Sequence, residues 1–342
     1  MKNNLLAFSF LVVMTGLCAS TKALAQDMHF SHYFNSPMQQ NPAHAGAFDG
    51  DWRVGLNYRN QWQSVTVPWR TFDLFGDINI MDDTEKPFYF GAGLLIMRDK
   101  AGDGALGTMK FLGSGAVHYR IKKQEQHTLS AGIQLGYVRK SIDWNKLYFD
   151  NQWNDATFDP NLPSFEQYKG NSLGYPDASV GLLYRNYHKQ NINYYASGAL
   201  QHLIQPKETF YEGGSNKLGF RPTAGAGVSA MVTGQLSVSP SVHYMTQKKA
   251  SELLVGGMLG YDITGESQKK MVVYGGVYNR MKDAFFPVIG MDYGPWRGFV
   301  SYDVNTSELK PASNGRGGIE LSLVYIGGTV PQPEGYMMCP RF

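Results

Sequence analysis

Eight histidines, with scattered serines and carboxylates, are the residues of this 342-residue chain that could serve as nucleophile, base or metal ligand. A nucleophilic serine needs a base within hydrogen-bond reach and a sharp turn that presents its hydroxyl. No G-x-S-x-G appears at a strand-to-helix turn to supply one. Zinc would need H-E-x-x-H or paired Cys/His spacing, and neither is present. The run Asp99-Lys100-Ala101-Gly102-Asp103-Gly104 has the outline of a calcium loop. Ala101 takes a ligand position, however, and Lys110 stands where the closing glutamate belongs, so the run reads as a glycine-rich hairpin turn. Asp155 and Asp159 are a weak signal for surface calcium. Gly91-Ala92-Gly93 precedes no helix and is not a phosphate loop. No cofactor or metal is expected, and the chain does not read as an enzyme.

The informative polar residues alternate with apolar ones. Arg53, Gly55, Asn57 and Arg59 interleave with Trp52, Val54, Leu56 and Tyr58. Ser130, Gly132, Gln134 and Gly136 interleave with Leu129, Ala131, Ile133, Leu135 and Tyr137; around 180 the pattern repeats with Leu183 as an exception. Period-two alternation is the signature of a strand with one apolar and one polar face. Here the segments run to about ten residues and their polar face is Gly, Ser and Asn, not a dense cover of Lys and Glu. Many apolar faces end in an aromatic. This pattern predicts a transmembrane antiparallel β-barrel of about fourteen strands, with the apolar face on lipid and the polar face on the lumen. The alternative, a soluble β-sandwich, also alternates. By parity Arg53, Arg59, Asp73, Asp77, His118, Arg120, Gln134, Arg185, Gln201 and Glu320 point inward. Their mixed signs fit ion pairs that brace or plug the lumen, or simple solvation of a polar interior. Short turns are expected near 82–84, 122–126, 188–191, 233–235, 265–269 and 294–295. Longer connections are expected near 64–69, 99–107, 143–177, 205–219 and 305–317, with the long ones extracellular and both termini in the periplasm.

Composition agrees. Only 17% of residues are charged, against 43% hydrophobic, with 39 glycines and 21 tyrosines, which is too little charge for an ordinary soluble protein of this length. A net charge of +3 without a basic cluster argues against nucleic acid. Lys2, the apolar run Leu5–Leu17 and Ala23-Leu24-Ala25 form a secretory signal over 1–25. Cleavage there leaves Cys339 as the only thiol, so no internal disulfide is expected; it reads as inert, with ligation or acylation as the alternatives. Residues 26–51 are aromatic and strand-poor, with a turn signal at Asn41-Pro42, and form a periplasmic or lumen-plugging segment. The barrel spans 52–326, and 327–342 is a C-terminal periplasmic tail.

The opening Gln26-Asp27-Met28-His29-Phe30-Ser31-His32-Tyr33-Phe34-Asn35-Ser36-Pro37, with Asn41-Pro42-Ala43, Ala45-Gly46 and Tyr58-Arg59-Asn60-Gln61-Trp62, resembles the PorP/SprF family of type IX secretion system outer-membrane proteins of the Bacteroidota. The likeness continues through Gly136 to Asp143, Phe149-Asp150-Asn151-Gln152, Ser301 to Ser307, and Cys339-Pro340-Arg341-Phe342. Gln39-Gln40 and His44 depart from the family pattern. The resemblance implies an integral outer-membrane protein that works with type IX secretion and gliding components and docks or supports export of a client, often a large secreted adhesin with a C-terminal sorting domain. No catalytic residues carry over. Candidate partner or plug contacts are Phe30, Tyr33, Asn41, Pro42, Arg59, Trp62, Cys339 and Phe342. The competing function for the same fold is a passive channel for small solutes, which differs in what fills the lumen.

Overall fold

In the computed structural model, residues 27–328 are described, except 64, 66, 82–85, 123–126, 155, 188–191, 265–269 and 309. Alternation becomes fourteen strands: β1 (Trp52–Gln61), β2 (Trp69–Ile80), β3 (Phe88–Ala101), β4 (Leu106–Lys122), β5 (His127–Ser141), β6 (Ser172–Tyr187), β7 (Ile192–Gln201), β8 (Arg221–Met231), β9 (Leu236–Gln247), β10 (Ala250–Asp262), β11 (Met271–Arg280), β12 (Ala284–Tyr293), β13 (Trp296–Asn305) and β14 (Arg316–Gly327). Each pairs antiparallel with its sequence neighbour, and β1 pairs with β14 as well as β2, closing the sheet. Closure leaves no unpaired edge, a condition for crossing lipid with strands.

The short connections, including 232–235 and Gly294-Pro295, gather at one rim, here the turn end. Trp52 and Gly327 lie side by side there. The long connections 142–171 and 202–220 gather at the other, the loop end. One expected long connection is short. β3 and β4 run on through Asp99↔Thr108 and Lys100↔Gly107 to Ala101↔Leu106, leaving only residues 102–105 as the turn. Asp99 and Lys100 keep strand parity, and Gly102 (φ 68°) takes the left-handed position that closes a tight hairpin.

Outward faces are apolar and exposed: Ile133, Leu135, Leu182, Val277 and Ile289 among them. At the turn end they finish in aromatics, where Trp52 stacks on Tyr325 (5.0 Å) and Phe88 meets Tyr119 (4.8 Å). This is the belt and girdle of a lipid-facing barrel. Inward faces are polar and buried, with Arg53, Asn57, Asp73, Asp77, His118, Gln134 and Glu320 all nearly inaccessible. Polar groups lining a water-filled pore would remain accessible. Something occupies this lumen.

Candidate functional site: the filled lumen

The occupant is the chain's own segment 27–48. It runs up the lumen from Phe48, near the turn end, to Asp27 at the loop end, and every residue from Phe30 to Phe48 is buried. Proline and asparagine shape it. Pro37 opens a single α-turn (Pro37–Gln40), and Pro42 opens a 3-10 turn (Pro42–His44). Asn41 caps the latter, its Oδ1 accepting from the Ala43 N–H at 2.8 Å.

Close approach is possible because the wall is flat on one side. Gly91, Ala116, Gly132, Gly181 and Ala199 are successive cross-strand partners from β3 to β7, a level row of inward residues with little or no side chain. The backbone of 41–46 lies against that row. A Cβ on Gly91 would stand 1.9 Å from the Ala45 carbonyl oxygen, and one on Gly132 2.4 Å from the Ala43 nitrogen. Hydrogen bonds fix the fit. The Asn41 amide donates to the Leu182 and Gly198 carbonyls (2.8 and 3.2 Å), and His118 Nε2 lies 2.9 Å from the Ala45 oxygen. Leu183, the break in the alternation of β6, faces inward and packs on Ala43 and Ala47.

Apolar side chains of the segment then fill the space. Phe30 and Met38 pack with Phe75, Leu95, Met97 and Leu112. Tyr33 and Phe34 pack with Met258, Tyr278, Phe286 and Phe299. Tyr33 also stacks on His243 (4.7 Å) and donates to Ser241 Oγ (2.7 Å). A cavity of about 20 Å³ remains beside Tyr33, Gln40, His44 and His243, room for about one water.

Three charged clusters tie the segment down. Toward the turn end, Arg53 grips Asp77 with two hydrogen bonds (3.0 and 2.8 Å), and Asp77 accepts the Gly46 N–H (2.8 Å). Arg185 donates to the Ala47 carbonyl (2.8 Å). Asp73 holds Asn57 and the Ser36 hydroxyl. Farther up, Glu320 accepts the main-chain N–H groups of Ser31 (2.9 Å) and His32 (2.6 Å). Asp303 binds the Ser31 hydroxyl, Arg59 (2.8 Å) and Arg280 (2.6 Å). At the loop end, Asp27 meets Lys110, His202 Nε2 (3.2 Å) and Arg221 (3.4 Å), while His202 Nδ1 meets Asp177 (2.8 Å). Burial opposes ionising Asp27, but Lys110, His202 and Arg221 outweigh it and hold its carboxyl well below the usual range. His202 is disfavoured as a cation by burial, yet Asp177 and Asp27 raise its pKa above the ordinary imidazole value. Charges enclosed this way stabilise little as pairs, but losing one partner strands the other.

The sequence over residues 23–325 matches the family described as Type IX secretion system membrane protein PorP/SprF. The chain belongs to the PorP/SprF family. As a member it is a membrane β-barrel of the type IX secretion system. No curated protein matches it in sequence. Among solved structures, the Pseudomonas putida toluene transporter TodX is similar at 11% identity, with 85% of this chain and 92% of that one covered and a TM-score of 0.50. The Ralstonia pickettii toluene transporter TbuX has 10% identity, covering 85% and 92%, with a TM-score of 0.49. At such identity the TodX likeness concerns the barrel alone.

The candidates read from sequence separate. Phe30, Tyr33, Asn41, Pro42 and Arg59 meet in the lumen, as do Arg53, Asp73, Asp77, Arg185 and Glu320. Arg120 sits half-buried near the turn end, its guanidinium 4.4 Å over the Tyr89 ring. Trp62 is away from the segment, half-exposed at the loop-end rim against Trp69 (5.6 Å). Cys339 and Phe342 lie outside the described residues, as does the signal sequence. No motif or spacing marks a role for Asp27, Lys110, Asp177, His202, Arg221, Arg280, Asp303 or the small-residue row, although parity alone turns Asp303 and Lys110 inward. A G-x-S-x-G pattern, Gly170-Asn171-Ser172-Leu173-Gly174, leads into strand β6, not a helix. Among the described residues no group of three or more His, Cys, Asp or Glu side chains is placed to hold a metal ion.

Proposed function

We propose that the protein is a closed docking barrel of the outer membrane. It binds a large exported adhesin with a C-terminal sorting domain at its loop end and couples it to other secretion and gliding components. On this reading residues 1–25 are a cleaved signal peptide, the turn end faces the periplasm and the loop end the exterior. The observation that carries it is the filled lumen. A barrel whose interior is packed with its own chain offers surfaces, not a passage, which weighs against a passive solute channel. The loop end supplies a suitable surface. Trp144 stacks on Tyr168 (4.4 Å) with Phe210 and Tyr211 at the edges, joining loops 142–171 and 202–220. Tyr148, Trp153 and Phe165 stand exposed beside them. Exposed aromatics on an ordered frame are the usual anchors of a protein interface.

Affinity purification of a tagged copy from detergent-solubilised outer membranes tests the proposal. A secreted protein with a C-terminal sorting domain, recovered in near-equal amount and lost when Tyr148, Trp153 and Phe165 are changed to Ser, supports it. Recovery of the barrel alone, with client secretion unaffected by its deletion, overturns it.

A further inference from the structure

Outward charge on the described strand positions is rare: Arg316 is exposed at the start of β14, and the other outward charges gather in one place. Over β6 to β13 no outward strand position among the described residues is charged. On β2 to β5, just beyond the apolar belt at the loop end, four outward cations cluster: Arg70, Arg98, Lys100 and Arg139, all exposed. The register places them in two adjacent rows. Arg70 pairs with Lys100, and Lys100 with Gly107. Arg98 pairs with Met109, and Met109 with Arg139. Strands are about 4.8 Å apart, so the two arginines flank Met109 at roughly 10 Å between backbones, within side-chain reach of one shared anion.

Small residues open the centre. Gly107 lies across from Lys100 and Ser141 next to Arg139 on the same face of β5, and a cavity of about 560 Å³ is lined by Arg98, Lys100, Met109, Arg139 and Ser141. Two carboxylates also border it. Asp99 turns inward to Trp69 Nε1 (2.7 Å) and the Thr71 hydroxyl (2.6 Å), and Asp143 pairs with Lys146 (3.2 Å). No ion pair joins any of the four cations to a described residue. Directly toward the turn end, the same strands present Leu94, Ile96, Phe111, Leu135 and Tyr137 outward. A cationic pocket over an apolar strip matches a molecule with an anionic head and acyl chains.

We propose that this patch is a binding site for a phosphorylated membrane lipid of the leaflet at the loop end, its phosphate held between Arg98 and Arg139 with Lys100 and Arg70 adjoining, and its acyl chains along β3 to β5. Guanidinium groups suit a phosphate through paired N–H donors, and cations at headgroup depth strengthen binding to anionic lipid. The site lies outside the lumen and borders loop 142–171 at Asp143, but none of its four cations belongs to the aromatic loop surface, so its failure leaves the docking proposal standing.

Native mass spectrometry of the full barrel in detergent, with monophosphoryl lipid A as probe, tests it. The expected result is one retained lipid, weakened about 10-fold or more by Arg98→Gln with Arg139→Gln. Lys248→Gln with Lys282→Gln, at the same end but across the barrel, leaves it unchanged. The dephosphorylated lipid binds poorly, and equimolar inorganic phosphate does not displace the probe. If the arginine pair fails to give a heat-modifiable barrel, Arg70→Gln with Lys100→Gln is read instead and shows a smaller loss. Equal retention by wild type and the patch variants, equal binding of the dephosphorylated lipid, or displacement by free phosphate overturns the proposal.

Discussion

Gly91→Val isolates the seat of the lumen segment from the barrel that holds it. The glycine lies on β3 with its missing Cβ aimed at the Ala45 carbonyl, 1.9 Å away, and at the Gly46 Cα, 2.8 Å away. Both neighbours are backbone, so neither can swing aside as a flexible side chain would. Ordinary contact needs a retreat of roughly 1.5 Å, and valine adds two methyl groups beyond that. Such a retreat breaks the His118–Ala45 bond (2.9 Å) and the Gly46–Asp77 bond (2.8 Å), and it loosens the Asn41 anchor on β6 and β7. Two to three buried hydrogen bonds at about 1.5–2 kcal/mol each amount to roughly 3–6 kcal/mol taken from the seating of the segment. The strand ladder is untouched, because valine favours a strand and its main-chain groups stay paired. Heat-modifiable migration should therefore stay normal, while hydrogen exchange over 41–46 accelerates by about 100-fold or more, as expected from about 3 kcal/mol or more. Native-level protection of 41–46 in a folded Gly91→Val barrel would refute this seating.

Other perturbations probe other parts. Ile133→Arg, on a lipid-facing position, should lower barrel yield, with about 2–4 kcal/mol lost near the membrane midplane; normal yield by heat-modifiable migration would mean that its strand faces the other way. Arg280→Met leaves the Asp303 carboxylate buried with one cation fewer and should cost about 3–5 kcal/mol in urea unfolding, much of it restored by adding Asp303→Asn; a single variant as stable as wild type would contradict the cluster. The Asp27 latch should depend on pH in two directions. His202 has a raised pKa, so its contribution is full below the ordinary imidazole value and fades as pH rises through the raised one; Asp27 has a lowered pKa, so its contribution fades only in strong acid. Hydrogen-exchange protection at 27–32, taken relative to the intrinsic rate at each pH, should fall on the alkaline side in wild type, and His202→Phe should flatten that profile; an unchanged profile in the variant would exclude the contact.

The barrel is legible in the sequence because a strand buries one face only, and a period of two survives in almost every segment. Leu183 breaks the pattern for a reason visible only in three dimensions: it faces two alanines of the segment, which need an apolar neighbour. The 99–107 connection reads as long because glycine and aspartate mark turns whether a hairpin has four residues or nine. The position of 27–48 is least legible. Its partners Gly132, Gly181, Asp303 and Glu320 are far along the chain, Glu320 289 residues from Ser31, and only the register places three glycines and two alanines at one level. Those glycines, ambiguous one at a time, become a docking row once the strands are aligned.

Segment 27–48 fills the lumen and closes the barrel. Planar-bilayer recording of the purified protein beside a variant lacking 27–48 tests it most directly. No steady conductance from the full protein, with open steps from the truncated barrel, is the predicted result. Conductance of the full protein equal to that of the truncated barrel would contradict it.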